Sequence, residues 1–282
     1  MTPLELELAL PATTLAARAW GDAAAPPLLA LHGWLDNAAS FDALAPRLAA
    51  RFRVIALDLP GHGRSAHLPA GTHYHFVDYL DAALGAAEAL GLERFRLLGH
   101  SLGAGVASLL AAAAPQRIER LALIEGLGPI ADDPSHTLAR FRDAVARRRG
   151  AEDKRTRLFA RVEDAVEARV RAGGLDAAQA RPIVERGVKA VAGGYTWSSD
   201  PRLTLPTPLR IEELQLRRVL AGIEAPALLL LADPPTPYLP TAMMDARAAC
   251  VADIRVQRLP GGHHLHLDAT ASVAEALLPF LA

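Results

Sequence analysis

Two hydrophobic rhythms divide the chain. Leu4-Glu5-Leu6-Glu7-Leu8 alternates apolar and polar with a period of two, and part of Thr14 to Trp20 does the same, which predicts an antiparallel hairpin at a sheet edge. Beyond it the alternation gives way to short, largely apolar runs at Leu28–Leu31, Val54–Leu57, Phe95–Leu98, Leu121–Ile124 and Ala227–Leu231, and to Ile254–Leu259, which Arg255, Gln257 and Arg258 interrupt. A strand reads this way when both its faces are covered, as in a parallel sheet with helices packed on each side. Helical stretches separate most of the runs, near Ser40–Ala50, Phe76–Leu90, Leu102–Ala114, Thr241–Ala249 and Ala271–Leu281. The pattern predicts an α/β fold built on a mostly parallel twisted sheet.

Between Pro129 and about Ile223 the strand and helix alternation stops. The stretch is rich in arginine and alanine, with Leu138, Phe141, Val145, Leu158, Val162 and Val166 at helical spacing, and it predicts a helical cap inserted in the core. Residues 1–128 and 224–282 then form the core domain, and 129–223 the cap. Gly193–Trp197 and Pro201–Pro208 read as an irregular link inside it. Arg147–Arg149, Lys154 and Arg155 form a basic run that reads as a solvated helix face, balanced by Glu152 and Asp153.

Composition narrows the partners. A chain of 282 residues, 51% of them hydrophobic, can bury a substantial core. Thirty Lys and Arg against 31 Asp and Glu leave a net charge of -1, no electrostatic reason to expect nucleic acid or another polyanion. A small molecule is the expected ligand. The single Cys250 excludes an internal disulfide and reads as a packed thiol. Glu5 and Glu7 stand where a leader would carry basic residues, and no uncharged apolar stretch approaches the roughly 20 residues of a membrane span, so a cytoplasmic protein away from membranes is expected. Oligomeric state has no signature here.

The chemistry concentrates at a strand end. Gly99-His100-Ser101-Leu102-Gly103 follows the Phe95–Leu98 run and opens an alanine-rich helix, so Ser101 sits where a strand turns sharply into a helix, a nucleophile elbow. A side chain at so tight a turn strains its backbone and leaves little room beside it, which is why glycines flank it. A serine hydroxyl is a poor nucleophile unless an imidazole accepts its proton and a carboxylate holds that imidazole. His263 follows Gly261-Gly262, whose freedom lets the backbone present the ring; His264 and His266 are its rivals. Two carboxylates compete for the third position. Glu125 ends the strand after the serine helix, where a buried carboxylate needs a partner such as an imidazole N–H, and Asp233 ends the Ala227–Leu231 strand. Glu125 is preferred. The Leu102 N–H at the helix start is a candidate oxyanion donor.

With Pro27–Leu31 running into His32-Gly33-Trp34-Leu35-Asp36-Asn37, and with Asp58-Leu59-Pro60-Gly61-His62-Gly63-Arg64-Ser65, the chain resembles the α/β-hydrolase superfamily. Among its branches, His32–Asn37 and the elbow look most like the serine hydrolase-like proteins. The resemblance implies the α/β-hydrolase fold and a cofactor-independent serine hydrolase acting on a small carboxylic ester or related acyl compound through an acyl-serine intermediate; no metal is expected, because His263, His264 and His266 have no acidic or cysteine ligand at metal spacing. It places the first histidine of Gly-His-x-x-His, His263, as base, and the Trp34 N–H as second oxyanion donor. Gly33, Trp34 and His100 are expected at the substrate, with His100 packed beside the elbow. His32 is expected to pin the oxyanion loop, and Asp58 and His62 to serve their own loop. One departure stands out: the loop after Ala232-Asp233 has prolines and lacks the glycine of the family's usual acid loop. That departure motivates a second expectation, a non-catalytic small-molecule-binding protein on the same fold; cleavage of C–C bonds or thioesters by the same triad is a third.

Overall fold

The computed structural model describes residues 1–149 and 157–282. Lys154, Arg155, Glu152 and Asp153 of the basic run lie outside the described residues. The chain opens with the antiparallel hairpin β1 (Leu4–Ala9) and β2 (Thr14–Trp20), then β3 (Pro27–Leu31), the short helix α1 (Ala45–Leu48), β4 (Arg53–Leu57) and α2 (Asp78–Ala89). β5 (Phe95–His100), α3 (Leu102–Ala113) and β6 (Ile118–Ile124) follow. The chain then leaves the sheet through α4 (Thr137–Arg149), β7 (Leu158–Phe159), α5 (Val162–Gly173), α6 (Ala177–Gly187), β8 (Val188–Val191), β9 (Gly194–Trp197) and α7 (Glu213–Leu220). It returns with β10 (Ala227–Asp233), α8 (Thr241–Ala248), β11 (Ile254–Pro260), α9 (Leu265–Asp268) and α10 (Thr270–Leu281).

The eight-stranded sheet runs β1-β2-β4-β3-β5-β6-β10-β11, antiparallel at β1, β2 and β4 and parallel from β4 onward. Its apolar runs serve two cores. Leu29, Leu31, Ile55, Leu57 and Leu97 pack on one face with α2, α3, α7 and α8; Leu28, Ala30, Val54, Leu98, Ile124 and Leu230 pack on the other with α1 and α10. From β3 the chain steps outward to β4, then crosses back to β5 on the other side of β3. At such a reversal the loops leaving neighbouring strands diverge and open a crevice at the strands' carboxyl ends, and Gly33–Asn37 and Ser101 lie there.

Three local expectations are corrected. The continuous helix expected at Ser40–Ala50 is split into a 3₁₀ turn at Ala38–Phe41 and α1, the turn being capped by the Asn37 side chain accepting the Ala39 N–H at 3.1 Å. Gly193–Trp197 is no irregular link: Gly194–Trp197 is the central strand of a second, antiparallel sheet ordered β7-β9-β8. That sheet and α5 and α6 close a small core of Phe159, Ala165, Val166, Leu175, Ala180, Ile183 and Val184. Residues 129–223 are thus helical and stranded, not helical alone. Finally, helical spacing ordinarily marks a buried stripe, yet Leu138, Phe141 and Val145 on α4 face solvent and only Ala144 of that helix is buried.

The inserted segment is tied to the sheet by charge. Arg186 of α6 is wholly buried, with Nε 3.0 Å from both Asp58 carboxylate oxygens and Nη1 2.7 Å from Glu5 of β1. Asp58 also accepts the Ala38 and Arg64 N–H groups, so it anchors more than its own glycine turn. Asn37 donates to the Ile183 carbonyl at 2.8 Å. Among the described residues no helix is long and apolar enough to cross a membrane.

Candidate active site

β5 ends at His100 and α3 begins at Leu102, so Ser101 alone makes the corner, at φ 52° and ψ -112°. A non-glycine residue held there stores on the order of 1–3 kcal/mol, which the surrounding packing must hold in place. The glycines on either side have a steric origin: a β-carbon on Gly103 would overlap the Leu31 carbonyl, and one on Gly99 would overlap the Gly103 carbonyl. Backbone bonds fix the corner, with the Ser101 N–H donating to Ile124 and the Gly103 N–H to His32, each at 3.0 Å.

The Ser101 hydroxyl lies 2.8 Å from Nε2 of His263, in the loop after β11. The other ring nitrogen, Nδ1, is 3.2 Å from a carboxylate oxygen of Glu125, the residue directly after β6, at φ 53°. An ionised carboxylate only accepts, so His263 carries its proton on Nδ1 and turns the Nε2 lone pair to the serine. Glu125 is buried, and two more donors meet it: the Ala232 N–H at 2.6 Å on Oε1 and the Thr236 hydroxyl on Oε2. Tyr238, two residues further along the same loop, sets its ring edgewise to His263, 5.2 Å between centroids. Burial and the nearby Glu125 charge push the Tyr238 phenol up to about 12.

Asp233, the alternative acid, is not brought to the imidazole. It is exposed at the end of β10, and among the described residues its carboxylate has no hydrogen bond to His263. The rival bases are also elsewhere. His266 faces the Ser40 hydroxyl at 2.7 Å, and His264 faces Asp36 at 3.7 Å and Arg169 of α5 at 3.5 Å. His100 is buried beside the elbow, as expected, and not exposed to a substrate. Its Nε2–H donates to the His263 carbonyl at 2.8 Å and its ring lies 4.2 Å from that of His266. Burial, reinforced by the neighbouring histidines, holds His100 and His266 well below the usual imidazole range; burial likewise lowers His264 against the pull of Asp36. These rings stay neutral.

The loop after β3 is fixed by His32, whose Nδ1–H donates to the Gly33 carbonyl at 2.7 Å while Nε2 accepts the Leu59 N–H at 3.0 Å. Gly33 packs against His100, where a β-carbon would come within 3.0 Å of the ring. The Trp34 indole is half in solvent and donates to the Leu203 carbonyl of the inserted segment at 3.1 Å. The Trp34 and Leu102 N–H groups have no acceptor among the described residues, Leu102 because it is the first residue of its helix. Asp36, buried, pairs with Arg169 at 2.7 Å. Thr236, Tyr238 and Arg169 carried no signal in the sequence, since each meets the site across a long separation.

A serine, an imidazole and a carboxylate gathered at the carboxyl ends of parallel strands, with a helix N-terminus beside the serine, are an arrangement of the α/β-hydrolase fold. The model of the alpha/beta hydrolase fold matches residues 26–270, and the chain belongs to that family. Within it the chain is similar to a serine hydrolase-like protein of Dictyostelium discoideum, 31% identical over 95% of this chain and 78% of the relative. Of the solved structures, it superposes on a hypothetical protein of Pseudomonas aeruginosa PAO1 with a TM-score of 0.90, at 43% identity over 98% of this chain and 97% of that one. The thioesterase domain from the curacin biosynthetic pathway gives a TM-score of 0.84 at 26% identity, covering 99% of this chain and 100% of that one.

Proposed function

We propose that the protein is a serine hydrolase that cleaves a small carboxylic ester or related acyl compound through an acyl-serine intermediate, without a cofactor. The observation that carries this reading is the 2.8 Å contact between Ser101 Oγ and His263 Nε2 at a strained strand-to-helix corner. In the first step Ser101 Oγ attacks the carbonyl carbon as its proton passes to His263 Nε2. The carbonyl oxygen gains negative charge, and the free Leu102 and Trp34 N–H groups are the donors that receive it. Fixed donors of this kind remove several kcal/mol from the barrier, because they need no reorientation when the charge forms. Glu125 holds the imidazole tautomer and balances the imidazolium. The tetrahedral species collapses as the imidazolium gives its proton to the departing alkoxide oxygen, leaving an acyl-serine. Water, deprotonated by the same imidazole, then repeats the sequence and frees the acid. Residues 129–223 form a cap over this crevice, with Trp34 and Leu203 at the seam.

Fluorophosphonate labelling tests the proposal. Folded wild-type protein is expected to take up the probe at Ser101, and Ser101→Ala to take up none; unlabelled, folded wild type beside a reacting control hydrolase would overturn it. The similarity to a thioesterase domain favours acyl thioesters as a second substrate class for the same residues. Comparing hydrolysis of p-nitrophenyl acetate with that of a short acyl thioester separates the two.

A further inference from the structure

Glu125 is a buried carboxylate without a lysine or arginine partner among the described ion pairs, so hydrogen bonds must replace the water it has lost. Three donors do this. The Ala232 N–H serves Oε1 alone, while Oε2 is shared by the His263 Nδ1–H and the Thr236 hydroxyl. Thr236 is itself buried, and its hydroxyl has a single proton, which a carboxylate can only receive. The donor thus falls on the very oxygen that faces the imidazole. The loop that carries it leaves β10, whereas Glu125 leaves β6, the neighbouring strand, and the stretch between them, which sets them 111 positions apart, includes the whole inserted segment.

We propose that Thr236 is a positioning residue that sets both the orientation of Glu125 and the negative charge its Oε2 presents to His263, resting on the proposed roles of Ser101, His263 and Glu125. With the hydroxyl in place, Oε2 is held by two donors and the carboxylate cannot swing away from the ring. Without it, Oε2 keeps only the imidazole. A carboxylate with fewer donors takes up a proton more readily, and it attracts the adjacent imidazolium more strongly. Both effects move loss of the working base to higher pH.

The test is the rate of fluorophosphonate labelling at Ser101 as a function of pH, which requires no knowledge of the natural substrate. Thr236→Val keeps the shape and removes the donor; Thr236→Ser keeps the donor. Thr236→Val is expected to label about tenfold or more slowly at neutral pH, the order expected for losing one hydrogen bond to a charged group. Its acidic limb is expected to move up by about half a pH unit or more. Thr236→Ser is expected to restore both, with thermal unfolding showing that each variant is folded. Wild-type rate and limb in Thr236→Val would overturn the proposal. So would a slowed rate with an unmoved limb, a loss that Thr236→Ser fails to restore, or a valine variant that does not fold beside a serine variant with an altered profile. Absence of labelling in folded wild type would instead remove the hydrolase reading, and this inference with it.

Discussion

At the scale of single residues, the decisive choice lies between two carboxylates. Glu125→Gln keeps the side chain's shape but cannot hold the His263 N–H as an ionised acceptor, and a drop in kcat of about 10²–10⁴-fold is expected, the range seen when an orienting carboxylate is neutralised. Asp233→Asn changes an exposed side chain with no bond to the ring, and kcat within about twofold of wild type is expected. Steady-state hydrolysis by the two variants checks both; equal losses would contradict the geometry. Activity is also expected to be lost on acidification, because only neutral His263 accepts the serine proton, and a rate that never falls as the folded protein is acidified would contradict its role as base. Ser101 and its glycines were legible in the sequence because their chemistry is local: the turn fits only that spacing. Glu125 was legible as a strand-end carboxylate in need of a partner. Thr236 was not, since a threonine among prolines gives no hint that a carboxylate 111 positions away awaits it.

At the scale of elements, the sheet was legible because two-sided burial leaves largely apolar runs, and the observed strands fall on the six stretches read from the pattern, the polar-interrupted Ile254–Leu259 being the half-exposed edge strand. The inserted segment was not, because periodicity gives the spacing of apolar residues and not the side from which a neighbour arrives. Gly194–Trp197 is too short to show an alternation, and while one side pairs with the adjacent Val188–Val191, the other pairs with Leu158–Phe159 far upstream. On α4 the helix packs through Ala144 and leaves Leu138, Phe141 and Val145 outward. Leu138→Gln and Val145→Gln are accordingly expected to change stability by no more than about 0.5 kcal/mol, whereas Ala144→Leu is expected to cost about 1–3 kcal/mol through overpacking. Denaturant unfolding measures all three; a large loss at Leu138 or Val145 would mean that the stripe is covered.

At the scale of the whole molecule, buried histidines tie stability to pH. His32, His62, His100, His264 and His266 are all lowered chiefly by burial, His62 to about 3. Each is neutral in the folded protein and takes up a proton near its ordinary value once unfolded. The unfolded chain therefore binds more protons as pH falls, so stability is full above about pH 6.5 and declines below it, each group approaching about 1.4 kcal/mol per pH unit. A Tm that is level above neutrality and falls steadily from about pH 6.5 toward pH 4 is expected. A flat Tm across that window would show the rings to be accessible. The bond between Arg186 and Asp58 has a different consequence, for how such a molecule can change over time. Removing the Arg186 side chain alone would leave Asp58 buried with only its backbone donors Ala38 and Arg64 and no counter-charge on it, and breaking a buried pair from one side costs about 3–5 kcal/mol. The insert is thus held as part of the fold, and sequence change within it is constrained to leave Arg186 where it is.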